Sequence, residues 1–165
     1  MNESIPVIYR IGRALCWLYF RLAHGLRVEG VEQVPARGGC IVAGNHASVL
    51  DPPLMGCPIR HREVHYLAKA ELFRPPLGWF LRQVGAVPVE RGRGDVGALR
   101  RALELLREGR VLGLFPEGTR SPDGRLQPPK RGLGFLVAKA GVPVVPAFLS
   151  GTFEAWPKGV RYPRL

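Results

Sequence analysis

His46 and Asp51, in the stretch GNHASVLDPP from Gly44 to Pro53, have the residue types of a general base and its supporting carboxylate. An ionised Asp beside an imidazole fixes the tautomer and stabilises the imidazolium that forms when the ring takes a proton. The spacing does not suit a helix, because five steps of 100° leave about 140° between the two side chains. The pair is therefore either accidental or made by a bend, with a strand ending at the Gly44–Asn45 corner and a helix opening at Asp51. A second stretch, FPEGTRS (Phe115–Ser121), runs through a Pro-Glu-Gly turn to a tip bearing Thr119, Arg120 and Ser121. Exposed amides, a guanidinium and two hydroxyls suit a phosphate oxyanion, although any α/β chain contains strand-to-loop turns.

Three other patterns carry less. His61 and His65 stand at i, i+4 in HREVH, but the order is not H-E-x-x-H and no third ligand lies nearby, so no metal is expected. GRGDVG (Gly92–Gly97) satisfies G-x-G-x-x-G, yet Asp95 would set a negative charge where a pyrophosphate should lie. Cys16, Cys40 and Cys57 form an odd set without C-x-x-C spacing, which suits neither a disulfide framework nor a zinc knuckle.

The elements that must position these groups follow from periodicity. In Ile5–Leu26, Val7, Ile8, Ile11, Leu15, Leu18 and Leu22 share one arc of a helix, with Arg10, Arg13 and Arg21 opposite and Trp17 at the edge. Such a basic amphipathic helix either packs on its own core or lies in a membrane interface, and the unbroken stripe flanked by Arg favours the membrane. CIVAGN reads as a buried strand, followed by a helix from Pro52 with Asp51 as N-cap. GAVPVER and Val111–Phe115 are further strands, and HYLAKAELF is mixed in character. Asp95–Arg110 is helical, with Val96, Leu99, Ala102, Leu103 and Leu106 on one face and Asp95 as cap. GLGFLVAKAG is another helix, and VPVVPAFLS a strand whose two prolines favour a sheet edge or a strand end. Alternating strands and helices predict an α/β fold with a mixed, largely parallel sheet flanked by helices. Residues 1–28 form the interfacial helix and 29–165 the domain.

With 165 residues, 46% of them apolar, the chain is one domain's worth and forms a sizeable core. It carries 24 Lys+Arg against 13 Asp+Glu, which points to anionic partners. Nucleic acid is not favoured, because the Arg residues are scattered and no aromatic-studded strand or DNA-reading helix accompanies them. Neither a secretory signal nor an apolar run long enough to span a bilayer is evident.

Together these segments resemble the glycerolipid acyltransferase family typified by 1-acylglycerol-3-phosphate acyltransferases. NHASVLD matches its N-H-x4-D block, GAVPVER the second, FPEGTRS the third and VPVVPAFLSGT the fourth, over about residues 38–159, with AKAELF and KRGLGF in their customary places. The resemblance implies transfer of a fatty acyl group from a thioester to a glycerol hydroxyl, with His46 as general base and Asp51 as its partner. It implies that Lys69, or backbone amides near the motif, supplies the oxyanion donor. Arg91 and Arg120 would hold the acceptor's phosphate, Glu117 would orient that pocket or the acceptor, and Gly118 would let the backbone approach closely. Asn45 and Thr119 complete the expected substrate-binding set. The acceptor attacks directly, so neither Ser48 nor a Cys is a nucleophile. No cofactor is expected beyond acyl-CoA or acyl-acyl carrier protein as co-substrate. The expected partners are lysophosphatidic acid and a phospholipid surface, at the cytoplasmic face of the cell membrane, peripherally or monotopically. Glycerol 3-phosphate or another lysophospholipid is the alternative acceptor, and a non-catalytic membrane-binding module the alternative class. Pro88 departs from the second block, and Leu165 follows the fourth closely, so a domain short at its C-terminus is expected.

Overall fold

A computed structural model describes residues 5–89 and 96–164 of the chain. Five strands, β1 (Cys40–Gly44), β2 (Val64–Lys69), β3 (Ala86–Val89), β4 (Val111–Leu114) and β5 (Val144–Ala147), form one sheet in the order β3-β2-β4-β1-β5. All its described pairings are parallel. Both edge strands carry a proline, Pro88 in β3 and Pro146 in β5, where a missing N–H leaves no gap in the ladder.

The period-2 alternation of β1 and β4 divides the core. Cys40, Val42, Val64 and Val111 point to one face, where they pack with Val34, Met55 and Ile59. Ile41 and Leu112 point to the other, against Ala102, Leu105 and Leu106 of α4 (Val96–Arg107) and Leu136 of α5 (Gly132–Ala140). Leu105 thus joins the buried face of α4, whereas Val96 is exposed, and the expected cap Asp95 lies outside the described residues.

On the first face lie α1 (Val7–His24) and α2 (Asp51–Gly56), in mutual contact. Helix α1 turns Tyr9, Arg13, Cys16 and Phe20 inward, at spacings of about one turn. Tyr9 Oη accepts the Val64 N–H at 2.9 Å, Arg13 donates to the Ile59 carbonyl, and Phe20 packs with Leu50 and Cys57. The arc that could have packed on the core is the outward one, with Val7 66% and Leu22 77% exposed. Among the described residues no helix is long and apolar enough to cross a membrane.

HYLAKAELF resolves into the end of β2 and a 3-10 turn at Ala70–Phe73. A short helix that the periodicity did not reveal, α3 (Leu77–Gln83), then leads to β3. His65 lies in β2 and His61 in the bend before it, so their i, i+4 spacing is not on a helix. Among the described residues no cluster of His, Cys, Asp or Glu is placed to hold a metal.

Candidate active site

The loops leaving β1 and β4 go to opposite faces of the sheet, one to α2 and the other to α5. These strands are neighbours, so their carboxyl ends form a topological switch point, the usual ligand position in open α/β sheets. His46 follows β1 at that point, and FPEGTRS continues from the end of β4.

The bend predicted between His46 and Asp51 is present, with one correction. Asp51 is the first residue of α2, Leu50 occupies the N-cap position, and no side chain caps this helix. The carboxylate faces backward instead. Its Oδ2 accepts the N–H groups of Ala47 (2.6 Å) and Ser48 (2.7 Å) and meets His46 Nδ1 at 2.9 Å. Asp51 is 0% exposed, so these bonds form away from water, where they are strongest. Two amides already donate to Oδ2, so Nδ1 is the protonated ring nitrogen and Nε2 keeps its lone pair. The His46 side chain is 18% exposed, which leaves the ring reachable.

The second motif holds the same histidine. The His46 N–H donates to Glu117 Oε1 at 2.7 Å, and its carbonyl accepts the Ser121 N–H at 2.6 Å. Its ring stacks on Phe115, with centroids 4.2 Å apart. Behind Phe115 lies Tyr66, whose hydroxyl donates to the Pro52 carbonyl at 2.8 Å. Burial raises the Tyr66 phenol well above its ordinary range, so it serves as a neutral donor. Gly113 has no side chain because the Tyr66 ring occupies that space.

Glu117 is 6% exposed, and its second oxygen accepts the Gln127 N–H at 3.2 Å. Both of its oxygens thus hold backbone, which makes it a positioning residue for His46 and for the loop. Asn45, expected to touch substrate, pairs both ends of its amide with the backbone of Leu149, at 2.8 and 2.7 Å. It ties the end of β1 to the segment after β5. Ser48 is fully buried, and its hydroxyl donates to the Trp156 carbonyl. Burial pushes the Cys57 thiol up to about 12 and raises Cys16 and Cys40 too, which disfavours a thiolate at any of them.

Gly118 takes a left-handed φ of 67°, and a Cβ there would lie 2.9 Å from the Lys130 Nζ and Cδ atoms. Lys130 is brought over the turn by its own N–H, which donates to the Pro116 carbonyl at 2.8 Å. Thr119 is exposed and Arg120 half-buried at the tip. Among the described residues neither Arg120 nor Lys130 has a carboxylate partner, so two cations flank the turn unneutralised. Lys69 ends β2 exposed. By strand alternation it shares the face of Leu67, opposite Tyr66 and the His46–Phe115 stack, so no contact with the dyad follows from its position. Arg91 lies outside the described residues.

Sequence reading did not find Phe115 as the platform for His46, nor Tyr66, Gly113 and Lys130. The glycine inside VLGLF was the available signal, since a strand glycine often marks close approach by a neighbour.

Comparison with known proteins finds relatives of this chain in sequence and in fold. The model of the family described as Acyltransferase matches residues 25–150. A 1-acyl-sn-glycerol-3-phosphate acyltransferase of Bacillus subtilis is 34% identical over 131 residues, covering 79% of this chain and 65% of that protein. A chloroplastic 1-acyl-sn-glycerol-3-phosphate acyltransferase of Brassica napus is 38% identical over 136 residues, covering 80% of this chain and 39% of that one. The crystal structure of the 1-acyl-sn-glycerophosphate acyltransferase PlsC from Thermotoga maritima superposes with a TM-score of 0.74 at 35% identity, over 93% of this chain and 60% of that one. The chain therefore spans less than two thirds of each of these relatives.

Proposed function

The chain belongs to the Acyltransferase family, and from that premise we propose that it transfers a fatty acyl group from a thioester to the free sn-2 hydroxyl of 1-acylglycerol 3-phosphate, giving phosphatidic acid. The observation that carries the reading is the arrangement at His46. Asp51 holds Nδ1, two bonds from the His46 backbone to FPEGTRS hold the main chain, and Nε2 is left as the basic nitrogen of a reachable ring. The names of the relatives supply the substrate class.

In this mechanism His46 Nε2 removes the hydroxyl proton as the oxygen attacks the thioester carbonyl. The C–O bond forms, and the carbonyl π electrons move to oxygen to give a tetrahedral oxyanion. Collapse breaks the C–S bond, and the departing thiolate takes the proton from the His46 imidazolium. An alcohol needs this help near neutral pH, where a positioned base contributes roughly 10²–10⁴-fold. Asp51 stabilises the imidazolium throughout. Arg120 and Lys130 hold the acceptor's phosphate beside the Gly118 turn, with Thr119 at its tip. The oxyanion donor is Lys69 or a backbone amide of the motif. The acyl carrier is CoA or acyl carrier protein, both anionic and suited to a chain of net charge +11. The exposed arc of α1 rests in a phospholipid surface at the cytoplasmic face, as a peripheral or monotopic contact where a carrier-bound donor meets a lipid acceptor.

The test is turnover of radiolabelled acyl-CoA or acyl-acyl carrier protein by purified protein in detergent, offered lysophosphatidic acid, glycerol 3-phosphate or monoacylglycerol. Phosphatidic acid formed by the wild type and lost in His46→Ala is the expected result. No turnover with any acceptor, or equal turnover in the variant, would overturn the reading.

A further inference from the structure

The region α3 is too short to register as an amphipathic helix in the sequence, and neither the proposed reaction nor the core explains its composition. Leu77, Trp79 and Phe80 are all exposed, Trp79 at 62%, although a chain of this size ordinarily shelters such side chains. The opposite side of α3 is pinned. Gly78 is buried against the Phe73 backbone so closely that any side chain would collide with the Phe73 carbonyl. The helix therefore cannot rotate its aromatic side inward.

Topology sets the face of the sheet on which α3 lies. The chain moves the same way along the sheet in passing from β1 to β2 and from β2 to β3. Right-handed crossovers then place α3 on the face that carries α2. The contacts agree: a Cβ on Gly12 of α1 would touch Val84 at the end of α3, and one on Gly85 would lie 3.5 Å from the Tyr9 ring. Helices α1 and α3 thus lie on the same face of the sheet, each with an exposed apolar side. Arg10 and Arg21 border the first, while Arg74 and Arg82 border the second, all exposed, and the Arg82 guanidinium sits over the Phe73 ring at 5.1 Å.

We propose that α3 is a second membrane-contacting element, with Leu77, Trp79 and Phe80 entering the same anionic phospholipid interface as the apolar arc of α1. The inference rests on the reading of α1 as an interfacial helix and extends it. Apolar and aromatic side chains bordered by Arg match an interface with hydrocarbon below and anionic headgroups above, and Trp is enriched at that level. A net charge of +11 adds the long-range attraction. Two points of contact fix the rotation of the protein about the α1 axis, which a single helix cannot do.

The test uses the full chain with Trp17→Phe and Trp156→Phe, leaving Trp79 as the one tryptophan. Emission is followed on adding vesicles of phosphatidylglycerol and phosphatidylcholine brominated along the acyl chains, with flotation in parallel. A blue shift and quenching of Trp79 are expected. Trp79→Ala with Phe80→Ala in the otherwise native chain should weaken flotation by about tenfold or more, by the area removed from water. Both side chains are exposed, so circular dichroism should show that pair folded. Flotation without quenching of Trp79 would overturn the role of α3 and leave that of α1 standing. Absence of flotation would overturn both. A lipid-independent blue shift accompanied by a dimer in light scattering would overturn the proposal in favour of self-association.

Discussion

Asp51→Asn tests the dyad with the least collateral change, and its size follows from the contacts. Oδ2 of Asp51 holds Ala47 N, Ser48 N and His46 Nδ1, whereas Oδ1 is buried without a partner. An asparagine that keeps its oxygen in the Oδ2 position preserves all of these bonds and the His46 tautomer. Its NH2 must then enter the Oδ1 site, where no acceptor waits, at a cost of about 1–3 kcal/mol in stability. In a domain of this size that lowers Tm by roughly 2–12 °C. The catalytic loss is separate: the imidazolium loses its charged partner in the transition state. A positioned base is worth about 10²–10⁴ as a whole, which bounds the loss from above, and kcat should fall by about 10²-fold, or ~2.7 kcal/mol of barrier. Acyl transfer to a short-chain lysophosphatidic acid, assayed below the Tm of the variant, isolates this term. His46→Ala should fall by a comparable factor with little loss of Tm, and the double variant should be no slower than the worse single one, as groups acting as a unit require. A kcat for Asp51→Asn within fivefold of wild type, with the variant folded, would refute the dyad.

Glu117→Gln should cost about 1–3 kcal/mol in a urea melt and lower kcat more than it raises KM, because one of two backbone donors is left facing an NH2 group. In Arg120→Ala and Lys130→Ala, KM for the phosphate-bearing acceptor should rise while KM for monoacylglycerol stays level, by steady-state kinetics; equal effects on both acceptors would remove them from the phosphate site. Gly113→Ala should unfold the chain or cost more than about 3 kcal/mol, as a methyl there meets the Tyr66 ring, and circular dichroism melts read this directly. Alkaline stability should be limited by Cys57, whose folded value of about 12 exceeds the ordinary 9.0. The unfolded thiol loses its proton first, so the urea midpoint should hold below pH 9 and fall between pH 9 and 12, and less so in Cys57→Ala.

What the sequence made legible was everything that depends on local pattern. Alternation and helical periodicity located β1, β4, β5, α1, α4 and α5, and the prolines of VPVVPAFLS pointed to an edge strand, where β5 lies. The His46–Asp51 bend was also local, since its cause is the Gly44–Asn45 corner and the start of α2. Helix α3 was hidden because seven residues are too few for a period to emerge, and Gly78 seats it against the adjoining turn at Phe73. The roles of Asn45 and Glu117 were hidden for a different reason. Polar residues in a motif have the same chemistry whether they face substrate or backbone, and here their partners lie at Leu149 and His46, far away in sequence.

That long-range pairing explains why N-H-x4-D and FPEGTRS belong together. The geometry His46 needs is not set by its own segment alone, because Asp51 fixes the ring while the main chain at the strand end could still pivot. Glu117 and Ser121 remove that freedom by binding the N–H and C=O of the same residue, 71 residues along the chain from Glu117. The turn that supplies them also presents Arg120 and brings in Lys130. One loop therefore orients the proposed base and provides the cations proposed to hold the acceptor, so a shift that misplaced the phosphate would also misplace Nε2. A displacement of about 1 Å is enough to cost such a site about a hundredfold in rate. Coupling both proposed functions to the β4 loop, which is bonded directly to His46, makes the distance between hydroxyl and base a property of the joined loops rather than of two independent ones.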